Sequence, residues 1–65
     1  MRKWLREMRR KAGYTQSDIA ALSNVNVTMI NKIELGERRP SVEVAKTIAE
    51  VLGFDWTRFY EDKTP

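Results

Sequence analysis

Sixty-five residues leave room for one small domain, read here as residues 1–65, and a chain of ~60 residues buries only about 60% of the surface it exposes when unfolded. Cysteine and histidine are both absent, which removes disulfides, thiolate metal sites, the commonest metal ligand and the usual general base. No apolar run is long enough to span a membrane or to form the core of a signal peptide, and a cysteine-free composition suits a reducing cytoplasm.

The net charge of +3 is unevenly spread. Residues 1–39 hold nine Lys or Arg against four acids, whereas residues 40–65 hold three against five. A basic first part beside an acidic second part suggests one side that faces a polyanion. An ordinary solvated helix face would give the same asymmetry.

Helix-period patterns dominate the chain, and no alternating stretch is long enough for a strand, so the expected class is all-α. Residues 2–12 read as a first helix, with Met1, Trp4, Leu5, Met8 and Ala12 on one stripe, Arg9 at its edge and Lys3, Arg6 and Arg10 opposite. Gly13 ends it. Thr15 caps a second helix over about 16–23, with Asp18 completing a capping box and Ile19, Ala20 and Ser23 inward. Asn24 and Asn26 break the pattern; Asn tolerates the left-handed conformation, and Val25 between them points into the core. Asn26 caps a third helix, about 27–35, which Gly36 terminates. The link of ~3–4 residues between helices two and three has helix-turn-helix spacing.

Glu37 to Pro40 form a polar, basic loop. Ser41 caps a fourth helix over 42–52, with Val44 or Val42, Ala45, Ile48, Ala49 and Leu52 on its apolar side, and Gly53 stops it. Asp55 caps a short last helix, about 56–61, that carries Trp56, Phe59 and Tyr60. Lys63, Thr64 and Pro65 are expected to fray.

The third helix carries the sharpest signal. Ile30, Ile33 and Met29 face the core, while Val27, Thr28, Asn31, Lys32 and Leu35 share the opposite face. That face combines amide, hydroxyl, methyl and ammonium groups, the chemistry that reads major-groove edges. A plain exposed helix face would have much the same composition, although it would not need Val27 and Leu35. Glu34 borders the core side of this helix as Arg9 does on the first. Partly buried acids are usually paired, and Arg offers a planar fork to a carboxylate, so the two are expected to pair and to fix helix three against helix one.

These residues carry a family resemblance. Gly13-Tyr14-Thr15-Gln16-Ser17-Asp18-Ile19-Ala20 resembles the GLSQEELA stretch of the Cro/CI-type (XRE family) helix-turn-helix regulators. Val25-Asn26, Ile30, Ile33-Glu34, Gly36, Arg39-Pro40-Ser41, Ala45, Ile48, Ala49, Leu52-Gly53 and the aromatic end from Trp56 to Tyr60 continue the pattern, which covers roughly residues 2–60. The resemblance implies a compact five-helix, phage-repressor-like domain with its helix-turn-helix at helices two and three. It also implies sequence-specific binding of duplex DNA, usually as a homodimer on a near-palindromic operator. Carried over by position, Val27, Thr28, Asn31 and Lys32 fall where bases are read or the backbone is closely approached. Gln16 falls where the family's Gln contacts a phosphate and braces the reader at the start of helix three. Thr15, Asn26, Arg10, Arg38 and Arg39 fall where phosphates are touched, and Arg9 and Glu34 match the family's internal ion pair. The chain departs from the pattern at Asn24, where Gly is frequent, and at Val27, which removes a hydrogen-bonding reader. It departs also at Ser23, where Leu or Ala is commoner, and at Leu22, where a charge is usual.

The expected function is therefore a transcriptional regulator, a repressor rather than an activator, with no cofactor and no metal. Trp56, Phe59 and Tyr60 form the expected dimer surface, with core packing of Trp56 and Phe59 competing for part of it. With no effector domain, control would fall to concentration, operator arrangement, a regulatory protein partner or degradation. One rival is an antitoxin or adaptor-type protein-interaction module on the same fold. Another is a nucleic-acid binder without sequence preference. An enzyme is disfavoured, because Ser17, Ser23 and Ser41 have no His base and no paired carboxylates or Gly-rich phosphate loop appear.

Overall fold

A computed structural model describes residues 1–61, so the expected fraying of Lys63, Thr64 and Pro65 lies outside the described residues. Five helices follow one another: α1 Lys3–Lys11, α2 Gln16–Ser23, α3 Val27–Leu35, α4 Val42–Leu52 and α5 Arg58–Glu61. Among the described residues there is no strand.

Local chemistry sets the boundaries. Thr15 Oγ1 accepts from the Asp18 N–H at 3.0 Å, and Asp18 Oδ2 accepts from the Thr15 N–H at 2.9 Å, a reciprocal box that satisfies two donors at the start of α2. Asn24 closes α2 in the left-handed region at φ 57°, which a short polar side chain tolerates. Asn26 Oδ1 then accepts from the Met29 N–H at 2.8 Å and starts α3. Ser41 Oγ does the same for α4, accepting from Val44 at 3.2 Å.

Leu5, Ile19, Ile30, Ile33, Ala45, Ile48 and Phe59 fill the core. α2 packs against both α3 and α4, and α1 packs against α3. Trp4, Phe54 and Phe59 close one end with ring centroids 5.2–5.5 Å apart, a spacing at which aromatic pairs attract beyond their area burial.

Several expectations need correction. On α1, Met1 is 60% exposed and Ala12 is exposed too, because Met1 precedes the helix and Ala12 sits at its C-cap. The inward line instead runs through Arg2, Leu5 and Arg9, all buried. On α4 the buried side takes Val44, while Val42 is exposed. The last helix begins at Arg58 rather than near residue 56, because Asp55 Oδ1 accepts from both the N–H and the Oγ1–H of Thr57 and holds a turn there. Those two bonds stabilise the ionised form of Asp55 and hold its carboxyl below the usual range.

Arg2 is a structural clasp. Its N–H donates to the Glu34 carbonyl at 2.8 Å, and its Nη1 donates to the carbonyls of Ile33 at 2.7 Å and Arg38 at 3.2 Å. It thereby ties the last turn of α3 to the loop that follows it.

Ser23 is buried as expected, and its Oγ has no hydrogen-bond partner among the described residues. A desolvated hydroxyl without a partner is unfavourable, and Ala is the better helix former. Ser23→Ala is expected to raise stability by about 1 kcal/mol, read as a higher urea midpoint with an unchanged slope; a loss of stability would show that the hydroxyl is satisfied.

Candidate nucleic-acid interface

The α3 period of 3.6 residues sorts its side chains into two sets. Ile30 and Ile33 are buried and Met29 is half-buried, whereas Val27, Thr28, Asn31, Lys32 and Leu35 are exposed. Val27 and Leu35 keep 42% and 40% of their surface exposed, so the face is part apolar.

A buried ion pair lies directly beneath that face. Arg9 Nε donates to Glu34 Oε2 at 2.6 Å and Arg9 Nη2 donates to Oε1 at 3.3 Å. Glu34 is only 3% exposed, and Arg9 Nη1 donates to the Tyr14 carbonyl at 2.8 Å. Gln16, the first residue of α2, uses its Nε2 twice, donating to Glu34 Oε1 and to Asn31 Oδ1 at 3.2 Å each. The chain of contacts therefore runs from the core pair to the exposed face of α3.

This differs from the expected brace at the start of α3. Val27 stands there and has no polar atom to meet Gln16, so the amide reaches the next turn at Asn31 instead. Arg6 borders the same cleft, together with Gln16, Asn31 and Leu35. Sequence reading placed Arg6 only on the outer face of the first helix; its spacing three residues before Arg9 was the available signal. Arg10 borders a different groove, beside Trp4, Glu7, Lys11 and Arg58.

The other expected backbone contacts sit at helix starts or on the loop after α3. Thr15 and Asn26 use their side-chain oxygens as cap acceptors, which leaves the Thr15 hydroxyl hydrogen and the Asn26 Nδ2 hydrogens as donors beside two helix N-termini. Arg38 and Arg39 are exposed. Their loop is held from both sides: Arg2 grips the Arg38 carbonyl, and Tyr60 Oη donates to the Pro40 carbonyl at 2.9 Å. The Arg39 guanidinium lies 5.7 Å from the centroid of the Tyr60 ring, within cation–π range.

The expected dimer surface needs one correction. Phe59 is 1% exposed and belongs to the core, packed against Trp4 and Phe54, so it is not available to a partner. Trp56 and Tyr60 remain half-buried, edge to face at 5.8 Å, with Lys46 Nζ 5.2 Å from the Trp56 ring centroid. Among the described residues no group of acids is placed to hold a metal ion, and no helix is long and apolar enough to cross a membrane.

The helix-turn-helix family model covers residues 5–59. The uncharacterized HTH-type transcriptional regulator YqaF of Bacillus subtilis is 48% identical over 62 residues, which cover 95% of this chain and 82% of that protein. A second Bacillus subtilis protein, the uncharacterized HTH-type transcriptional regulator YazB, is 35% identical over 48 residues, 74% of this chain and 70% of its own. The HTH-type transcriptional regulator DdrOP3 of Deinococcus deserti is 30% identical over 66 residues, but those span only 51% of its length. No solved structure matches the chain. The chain belongs to the helix-turn-helix family and is of the XRE type.

Removing one partner of a buried ion pair leaves the other charge uncompensated. Arg9→Ala is expected to cost about 3–5 kcal/mol, whereas replacing both partners with Met and Leu should cost much less. Chemical denaturation of the two variants checks this; equal losses would mean that the pair acts by packing alone.

Proposed function

We propose that this protein is a sequence-specific, duplex-DNA-binding transcriptional repressor that acts as a homodimer on a near-palindromic operator. That it is a DNA-binding regulator and not an enzyme follows from the family and from the regulators it resembles. The observation that carries the finer reading is the exposed set Val27, Thr28, Asn31 and Lys32 on α3, held over a rigid buried pair.

On this reading α3 enters the major groove. The Asn31 amide and the Lys32 ammonium supply directional contacts to base edges, while the Val27 and Thr28 methyl groups touch thymine methyls. Phosphates meet the donors at Thr15 and Asn26, and Arg10, Arg38 and Arg39; Gln16 drops out of that set, because its Nε2 hydrogens go to Glu34 and Asn31. These contacts supply sequence-independent affinity and fix the register. Two copies would set half-sites about one helical turn apart. With Phe59 in the core, the proposed contact between copies rests on Trp56 and Tyr60. The same reading puts the protein in the cytoplasm, with a regulatory protein partner as one route of control.

Selection of random duplexes at moderate salt tests the whole reading. A palindromic consensus with half-sites about ten base pairs apart is the expected result. No enrichment from a folded protein would overturn it in favour of an antitoxin or adaptor role.

Asn31→Ala should weaken binding to the selected operator by about 1–3 kcal/mol and relax one base position per half-site. Arg39→Ala should weaken all duplexes alike and reduce the salt slope by about one. A uniform loss for Asn31→Ala, or an unchanged slope for Arg39→Ala, would remove that residue from its assigned role.

A further inference from the structure

The hydrogen bonds beneath α3 fix a direction that the presence of an asparagine leaves open. A carboxamide can be turned end for end with almost no change in shape, and its neighbours decide which end is oxygen. Here the first neighbour is a carboxylate. Glu34 is 3% exposed and receives Arg9 on both oxygens, and an ionised carboxylate accepts hydrogen bonds only. Gln16 lies 3.2 Å from Glu34 Oε1, so it must turn its NH2 inward, since the opposite orientation would set two acceptors against each other. The second hydrogen of that NH2 points at Asn31, also at 3.2 Å. Asn31 must answer with its own acceptor, Oδ1. Its Nδ2 takes no part in these bonds and remains a donor on an exposed side chain.

We propose that Gln16 and Glu34 are positioning residues for base readout. They hold Asn31 with its oxygen toward Gln16 and its NH2 toward the groove, so that Asn31 reads an acceptor rather than the amino donor of cytosine or adenine; of the acceptors in the groove, the one assigned to it is the N7 of a purine. The inference rests on the reading that α3 lies in the major groove. It adds that the polarity of one contact on that surface is set from the core, through a buried charge that never approaches the DNA.

The test compares wild type, Asn31→Ala, Gln16→Ala and the double variant on one library of random duplexes, with thermal midpoints recorded for each. Asn31→Ala identifies the base position concerned by lowering its preference about tenfold. Gln16→Ala is expected to lower the preference at that same position about threefold. The double variant should then match Asn31→Ala, with other positions unchanged. A 7-deazapurine at that position, which replaces N7 by a carbon, should weaken wild type about threefold and leave Asn31→Ala unaffected. This last comparison needs no Gln16 variant and stands even if Gln16→Ala folds poorly. The proposal is overturned if Gln16→Ala weakens every duplex equally, as loss of a phosphate contact would, or if the 7-deazapurine leaves wild-type binding unchanged. A wild-type protein with no sequence preference removes the major-groove reading first and this inference with it; that failure is visible before any variant is compared.

Discussion

Everything that makes the exposed face of α3 a defined surface depends on one buried carboxylate. Glu34 gathers three N–H donors, two from Arg9 on α1 and one from Gln16 on α2, while its own backbone belongs to α3. Three helices are thus referenced to a single pair of oxygens. Burying such a pair brings no large gain over apolar residues of the same volume, because desolvation offsets the attraction. What apolar side chains lack is direction. Bonds of 2.6 Å and 3.3 Å through a planar guanidinium fix the rotation of α3 about its axis as well as its distance from α1. For a helix whose use depends on which side chains face outward, rotation matters more than an added increment of stability.

The segment after α3 is secured by a second, independent device. Arg2 reaches the carbonyls of Ile33 and Arg38, and Tyr60 reaches the carbonyl of Pro40. These two side chains come from distant parts of the chain and close on the same loop. Each also meets an aromatic ring: the Arg2 guanidinium lies 5.8 Å from the Phe59 ring centroid, and Tyr60 packs edge to face on Trp56. The loop that presents Arg38 and Arg39 is therefore ordered by its main chain, and the two arginine side chains stay exposed. Among the described residues neither arginine side chain forms an ion pair, so the loop is held through its carbonyls and not through its cations.

Much of this was legible in the sequence because the governing interactions are local. Thr15 with Asp18, Asn26 and Ser41 announce helix starts, and Asn24, Gly36 and Gly53 announce ends, since each needs only a neighbour a few residues away. α2, α3 and α4 begin and end where those signals put them. The proximity of Arg9 and Glu34 was also readable, because both lie at the edge of an apolar stripe. Arg2 was not. An arginine near the start of a helix reads as a solvated charge until the carbonyls of residues 33 and 38 are known to lie beside it. Phe59 stayed open between core and contact for a related reason: which it is depends on Trp4 and Phe54, and Trp4 lies far from it in the sequence. The contact of Gln16 with Asn31 depends on the angle between α2 and α3, which periodicity does not report.

The composition of the α3 face divides the proposed readout into two physical kinds. Val27 and Leu35 are apolar and 40–42% exposed in the free protein, so surface they bury on DNA would contribute affinity without directional demand. Thr28 and Lys32 are exposed side chains with polar ends. Among the described residues, Asn31 is the one on this face whose side chain is tied by a hydrogen bond to the framework. A side chain already held in position loses little conformational freedom when it binds, whereas a free lysine gives up much of its rotamer entropy. Discrimination between bases should therefore concentrate at the position Asn31 meets, because a fixed group cannot swing to relieve a mismatch. The flexible and apolar neighbours can re-aim or slide, and so tolerate more variation in the base they meet. On the proposed readout, the core pair would thus shape specificity through the reader it reaches.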